Sequence, residues 1–253
     1  MSVKMPIALQ LYTLRSEAEK DFIGTLKKVA ELGYKGVEFA GYGGLPADEL
    51  RDALREFNLV PVNSHVAIER LEKDLDGEIS YALGIGLKDI TVPYLAENRR
   101  NSKEAWIAVA RQLQDMGKRI KEAGLNLHYH NHAFEFQKFD GKYGLDILID
   151  NTDADVVKLE VDTFWVQYAG VDPVDYLKGL SGRVTMVHLK DMIKGQEPPF
   201  AEVGEGCIDI AGIIRISREI GVQWGIVEQD VCQRPPLESV KLSIDNLRNM
   251  GVI

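Results

Sequence analysis

The chain repeats one pattern: a short apolar run, then a longer segment of helical period, then a glycine, after which the next apolar run begins. The runs stand at 7–11, 36–39, 60–64, 89–92, 126–130, 157–161, 184–187 and 224–227. Short apolar runs bounded by turn residues are the signature of parallel strands buried on both faces. Helical periodicity fills 22–32, 48–57, 102–123 and 239–250, with shorter segments near 143–150 and 172–180. Glycines closing the pairs at 32–33, 83–84, 123–124, 181–182, 220–221 and 250–251 read as helix stops, because glycine accepts the left-handed conformation of a C-terminal cap. Eight alternations in 253 residues predict an α/β fold, a (β/α)8 TIM barrel spanning 1–253 as a single domain, rather than an open doubly wound sheet. No Gly/Ser/Pro-rich linker divides the chain, and Pro198-Pro199 and Pro235-Pro236 punctuate loops. Residues 31–38 parallel 219–228, so a carboxylate, Glu38 or Glu228, recurs where the second and eighth strands end.

In such a barrel the reactive groups sit at the C-terminal tips of the strands. Polar residues accumulate there: Gln10 and Tyr12, Glu38, Asn63 and His65, His130 through Glu135, Asp162, His188 and Lys190, Glu228 and Asp230. A single carboxylate after a strand is ordinarily a turn or cap residue. Carboxylates recurring on neighbouring strands would repel one another unless a divalent cation made their crowding favourable. Glu135, Asp162, His188 and Glu228 supply three carboxylates and one imidazole without a thiolate. That set suits one divalent ion, Mn2+, Co2+ or Mg2+ with Fe2+ or Zn2+ also compatible, better than a closed structural zinc site. An ion that chelates adjacent carbonyl and hydroxyl oxygens acidifies the neighbouring C–H and stabilises the enediolate. Glu135 and Glu228 are expected to move that proton.

Around them, His65 and Lys190 are expected either to bind a substrate hydroxyl or phosphate or to form a structural ion pair. Glu38 is expected to bind a hydroxyl or orient a ligand. Trp165 and Phe39 offer an apolar wall for a sugar face or else core packing. His128 and Glu160 lie below the strand tips and read as structural.

The formal charge of −9 and pI near 5.2 argue against a general grip on nucleic acid or an anionic membrane. Two cysteines, Cys207 and Cys232, in no Cys-x-x-Cys spacing, support neither a disulfide framework nor a thiolate zinc site. With no leader-like apolar segment at the N-terminus and no run of membrane-spanning length, the expected location is the cytoplasm.

Val-Asp-Thr-Phe-Trp (161–165), His-Leu-Lys-Asp (188–191), Val-Glu-Gln-Asp (227–230) and Tyr-His-Asn-His-Ala-Phe-Glu-Phe (129–136) resemble signature segments of the sugar phosphate isomerase/epimerase superfamily, the xylose-isomerase-like TIM barrels. Leu-Gln-Leu-Tyr-Thr-Leu-Arg (9–15) and Asn-Ser-His-Val (63–66) extend the resemblance over essentially the whole chain. It implies Asp162, His188 and Glu228 as metal ligands, with Glu228 doubling as acid/base. In the epimerases of this superfamily the fourth ligand is a glutamate at the tip of the fifth strand. Here that tip reads His130-Asn131-His132, so Glu135 is expected to reach the metal from its loop, failing which Asn131 or His132 binds metal or substrate. The resemblance implies a metal-dependent isomerase or epimerase of a sugar, sugar phosphate or polyol derivative, with a small carbohydrate as partner and a homo-oligomer left open. The alternative is a lyase or dehydratase acting on inososes or 3-keto-glycosides. The superfamily's apurinic endonucleases use a three-metal cluster and a basic DNA surface, which five histidines and an acidic charge do not suit. A non-catalytic sugar-binding barrel is the remaining class.

Overall fold

The computed structural model describes residues 5–253, and its eight long strands close into a parallel barrel in sequence order. They are β1 (Ile7–Gln10), β2 (Gly36–Phe39), β3 (Val60–His65), β4 (Asp89–Val92), β5 (Asn126–His130), β6 (Val157–Asp162), β7 (Val184–Leu189) and β8 (Trp224–Val227). Gly225 opposite Ile7 and Val227 opposite Leu9 join β8 to β1, so the sheet has no free edge. Around it run α1 (Arg15–Lys20) and α2 (Phe22–Leu32), α3 (Ala47–Glu56), α4 (Ile68–Ile85), α5 (Lys103–Glu122), α6 (Gly144–Asp150), α7 (Thr163–Tyr168) and α8 (Pro173–Lys178), α9 (Ile210–Ile220) and α10 (Pro236–Asn249). No helix among the described residues is long and apolar enough to cross a membrane.

Helix α5 shows why these segments fold as they do. Ser102 accepts the Ala105 N–H as its cap, and Trp106, Val109, Ala110, Leu113, Gly117 and Ile120 form one buried stripe of helical period. At Gly117 the helix touches β6's approach so closely that a Cβ would stand 2.9 Å from Val156 Cγ1 and 3.0 Å from its carbonyl oxygen. Two expected helix stops fall elsewhere. Helix α4 passes through Gly84 to Ile85, because the left-handed cap is supplied by Gly86 at φ +86°. Helix α8 closes at Lys178, where the Gly179 N–H bonds back to Tyr176 O, before Ser181-Gly182 is reached.

Strand alternation divides the molecule into two apolar regions. One face of the strands, including Leu9, Val37, Ile90, Leu127, Val161 and Val227, packs against the helices in the main core. Ala8, Val62, Met186 and Ile226 form a separate small cluster with Trp224 inside the barrel. Two residues further along β1, β7 and β8 on the same phase come Gln10, His188 and Glu228. Two bulges set the register at that level. On β3 the pairing jumps from Val37–Pro61 to Glu38–Asn63, and on β7 from Leu159–Val184 to Glu160–Met186. The second jump leaves Asp162 opposite His188. Because this pairing persists, β6 and β7 run further than expected and include both residues.

Candidate active site

Above the apolar floor the barrel interior is polar. Glu38 sits fully buried with Oε2 receiving Gln10 Nε2 at 2.6 Å and facing His188 Nε2 at 2.8 Å, and its Oε1 receives Asn63 Nδ2 at 2.6 Å. Glu160, also fully buried, lies 2.7 Å from His65 Nε2, 3.2 Å from His130 Nδ1 and 3.1 Å from Asn63 Nδ2. His188 spans two levels: Nε2 faces these deep carboxylates, while Nδ1 lies 3.0 Å from Glu228 Oε2 and 4.0 Å from Asp162 Oδ2. With a carboxylate at each ring nitrogen the imidazolium donates from Nε2 to Glu38 and from Nδ1 to Glu228; an ion between Asp162 and Glu228 would take the place of the Nδ1 proton while Glu38 keeps the ring oriented.

Asp162 is divided in the same way. Its Oδ1 caps α7 by accepting the Phe164 and Trp165 N–H groups at 3.0 and 3.1 Å, and its buried Oδ2 faces the Lys190 ammonium. Lys190, almost fully buried, brings its ammonium 2.8 Å from that Oδ2, 2.5 Å from Glu228 Oε2 and 2.9 Å from Asp230 Oδ2.

Burial and charge pull the titrations in opposite directions. Burial pushes the His188 imidazolium down, but Glu160 and Glu38 outweigh it and hold the pKa well above the ordinary value. The same contest keeps Lys190 high through Asp162, Glu228 and Asp230. Burial would raise Glu160 and Glu228, yet His188 and His65 hold the first, and Lys190 and His188 the second, well below the carboxylate range. Burial and the neighbouring Glu160 push Glu38 up to about 7. Burial wins at Asp162, which is raised, and at His130, which is held well below its usual value. Burial, reinforced by the Lys190 charge, pushes His132 down to about 3.

Asp162, His188 and Glu228 offer ligand atoms lying within 4.8 Å of one another, and so do His65, His130, Glu160 and His188. The first group fits a divalent ion: it has two carboxylates and an imidazole oriented by Glu38, and Asp162 Oδ2 and Glu228 Oε2 converge on a positive charge, that of the Lys190 ammonium. In the second group the Glu160 oxygens are already engaged by His65, His130 and Asn63. His130 Nε2 lies 3.6 Å from Asp162 Oδ2, which brings the fifth strand to the edge of the first group as an imidazole.

The structure does not bring Glu135 to this cluster. After β5 the chain turns through Phe134–Phe136 and carries Glu135 beneath the loop, where Oε1 accepts the Tyr129 hydroxyl at 2.7 Å and Oε2 accepts the His132 N–H at 2.8 Å. Tyr129 alternates with the inward-facing His130 and packs on Trp106 of α5, so Glu135 lies on the helix side of the barrel wall. Asn131, expected at the substrate, spends its amide on the Asp162 backbone: Oδ1 accepts the N–H at 3.0 Å and Nδ2 donates to the carbonyl at 3.2 Å. Glu38 lies behind His188 and away from the cavity, where it can orient the imidazole, one of its two expected roles, but not bind a substrate hydroxyl. His128 is a buried floor residue bonded to Thr185 Oγ1 at 2.6 Å, as expected. Phe39 belongs to the main core, and Trp165 stands beside His132 with ring centroids 5.5 Å apart. Glu160, structural by its position in the sequence, is a hub of the cluster.

A cavity of about 450 Å3 opens over these groups, and His65, His130, His132, Lys190, Glu228 and Asp230 line its polar side. The volume lies in the range of small-molecule sites. A closed parallel barrel with an imidazole–carboxylate cluster at the C-terminal mouth defines a class, and residues 26–250 match the family model of the xylose isomerase-like TIM barrels. The chain belongs to that family. Among its relatives, the inosose dehydratase of Clostridium beijerinckii is 25% identical over 259 residues, covering 87% of this chain and 86% of the relative. A crystal structure of a sugar phosphate isomerase/epimerase from Parabacteroides distasonis ATCC 8503 superposes with a TM-score of 0.87 at 21% identity, over 99% of this chain and 96% of that one. The IOLI protein with a binding zinc atom superposes with a TM-score of 0.72 at 14% identity, over 98% of each chain.

Proposed function

We propose that this protein is a divalent-metal-dependent carbon–oxygen lyase that dehydrates a keto-polyol or keto-sugar. The observation that carries this reading is the Glu228–Lys190 pair: a carboxylate and an ammonium 2.5 Å apart, both facing the cavity and both beside the Asp162–His188 ligand pair. Asp162, His188 and Glu228 would hold the ion, which when bound polarises the substrate carbonyl and lowers the pKa of the adjacent C–H. Mn2+, Co2+ and Mg2+ suit this donor set, and the zinc of the IOLI protein belongs to the same range of ions.

Glu228, held ionised by Lys190 and His188, takes the proton from the carbon next to the carbonyl. As the carbon–carbon double bond forms, the bond to the β-hydroxyl breaks, and Lys190 donates a proton so that the hydroxyl departs as water. Glu228 then returns its acquired proton to Lys190 across their contact, which restores both groups and balances the loss of one water. His132, neutral because of its burial, and His65 bind substrate hydroxyls, while Asp230 holds the Lys190 ammonium in place.

The inosose dehydratase relatives support elimination. So does the fifth-strand tip, which places imidazoles rather than a second carboxylate at the cavity. The isomerase or epimerase reading shares the first proton transfer and differs in the second step, where a proton returns to carbon and no hydroxyl leaves. It is favoured by one observation: His132, on a different strand from Glu228, lines the same cavity as a neutral imidazole able to return a proton. NMR of solvent deuterium uptake on a panel of inososes, ketoses, ketose phosphates and 3-keto-glycosides, with Mn2+, Co2+ or Mg2+ added, tests both. An unsaturated ketone product supports the lyase, a deuterated isomer or epimer supports the second reading, and no exchange on any member removes both.

A further inference from the structure

The mouth of the cavity has two chemically distinct halves. The acid/base groups come from β5 to β8 and, through His65, from β3. The segments after β1 to β4 contribute Tyr12, Ala40, Gly41, Ala67, Arg70, Pro93 and Tyr94, of which Arg70 alone is charged. Tyr94 is 50% exposed and Tyr12 42%, a large apolar area to leave at the rim of a polar site. Tyr94 is nonetheless held from behind: its ring meets His132 and Phe134 edge-on at 5.9 and 5.5 Å, and the Arg100 guanidinium lies 3.7 Å over the Phe134 ring. Tyr12 is backed by the Arg15 guanidinium at 4.2 Å. Gly41, also in the lining, has φ +100° and open space where a Cβ would stand.

The cations of the cavity are already committed. Arg70 is bound to Glu78 Oε1 at 2.9 and 2.5 Å, and Lys190 faces three carboxylates. Glu228 and Asp230 add negative charge to the same wall. A phosphate ester would therefore meet the Glu228 and Asp230 carboxylates and could reach Arg70 only by competing with Glu78, whereas an uncharged ring would meet two anchored tyrosines.

We infer that the substrate is not phosphorylated and carries, besides the ring that reacts, a second uncharged aromatic or otherwise flat apolar group that docks on Tyr94 and Tyr12. This deepens the proposed function and rests on its placement of the reacting ring at Glu228 and Lys190. The test reads binding rather than turnover. Isothermal titration compares methyl β-glucoside, phenyl β-glucoside and glucose 6-phosphate on the metal-loaded protein, its Tyr94→Ala variant and its Ala67→Trp variant, in which the added ring fills the apolar half. The phenyl glucoside should bind at least roughly tenfold tighter than the methyl glucoside, a gap that ring stacking plus apolar burial supplies. Both variants should erase most of that gap, and the phosphate ester should bind no tighter than the methyl glucoside.

Equal affinity for the two glucosides overturns the inference, as does a gap that survives both variants, preference for the phosphate ester, or no saturable binding of the phenyl glucoside up to its solubility. Because no reaction is measured, such a result indicts the apolar subsite, while failure of the chemistry shows separately in the deuterium experiment.

Discussion

Replacing Glu135 by glutamine should make the protein more stable at neutral pH and leave intact the metal site proposed at Asp162, His188 and Glu228. The carboxyl is completely buried, and burial pushes its pKa from 4.5 up to about 8, even though the Tyr129 hydroxyl and the His132 N–H pull it down. Below pH 4.5 the group is protonated in both folded and unfolded chains and contributes its full stability. Between 4.5 and about 8 the unfolded chain releases the proton and the folded chain retains it, so stability falls as pH rises, by up to ~1.4 kcal/mol per pH unit. Integrated over that window the loss is roughly 4 to 5 kcal/mol.

Glutamine is neutral throughout. Its carbonyl accepts the His132 N–H as Oε2 does, and the Tyr129 hydroxyl, which donates to Oε1 in the parent, turns to accept from the amide. The variant-minus-parent stability should therefore rise from near zero at pH 4.5 to a few kcal/mol at pH 8, or roughly 10 °C in melting temperature for a domain of this size. Urea or thermal unfolding followed by circular dichroism across that range provides the measurement. Other groups in the window, such as Glu38, cancel in the difference. A gap that does not change with pH, or reverses, would show that Glu135 is ionised in the fold. Loss of metal affinity in the glutamine variant would place Glu135 in the cradle after all.

Asp162→Asn should keep the α7 cap and weaken metal binding at least ~100-fold by chelator competition, whereas Asp162→Ala should also lose about 1 kcal/mol of stability in unfolding measurements as the Phe164 and Trp165 N–H groups lose their acceptor. Lys190→Met should tighten metal binding about tenfold or more, since it removes an ammonium 2.8 Å from Asp162 and 2.5 Å from Glu228, while cutting turnover at least ~100-fold; unchanged or weaker affinity would mean that the ammonium and the ion do not share these oxygens. Gly117→Ala should destabilise by about 1 to 3 kcal/mol in denaturant titration, because the new methyl has no room beside Val156.

The barrel is legible because runs too short for a helix, most of them apolar, alternate eight times with helical periods, and strand period then carries the tip residues to one mouth. Asp162, His188 and Glu228 converge for that reason: each ends or follows a run on the inward phase, and the bulge in β7 needs only to set Asp162 opposite His188. The shifted helix stops were not legible, since a glycine announces that it can take the left-handed cap but not that it does. Gly84 continues a helix that Gly86 ends.

The positions of Glu135 and Glu160 have a sharper cause. Nearness to a strand tip in sequence says nothing about the side of the wall on which a loop residue lands, and the turn at Phe134–Phe136 sends Glu135 outward to Tyr129. Strand phase does decide the side, and it was available for Glu160, two residues before Asp162 and in register with His130. The depth of Glu160 below the strand tip reads as a structural role, and what depth alone does not tell is which groups surround it. In this chain the layer at that depth is polar on every side: Gln10, Glu38, Asn63, Thr91 and His188 are all completely buried there with Glu160. One buried carboxylate in a strand is costly, but polar partners repeated at the same height on adjacent strands satisfy one another, and it is their coincidence in phase and depth that marks the layer supporting the site.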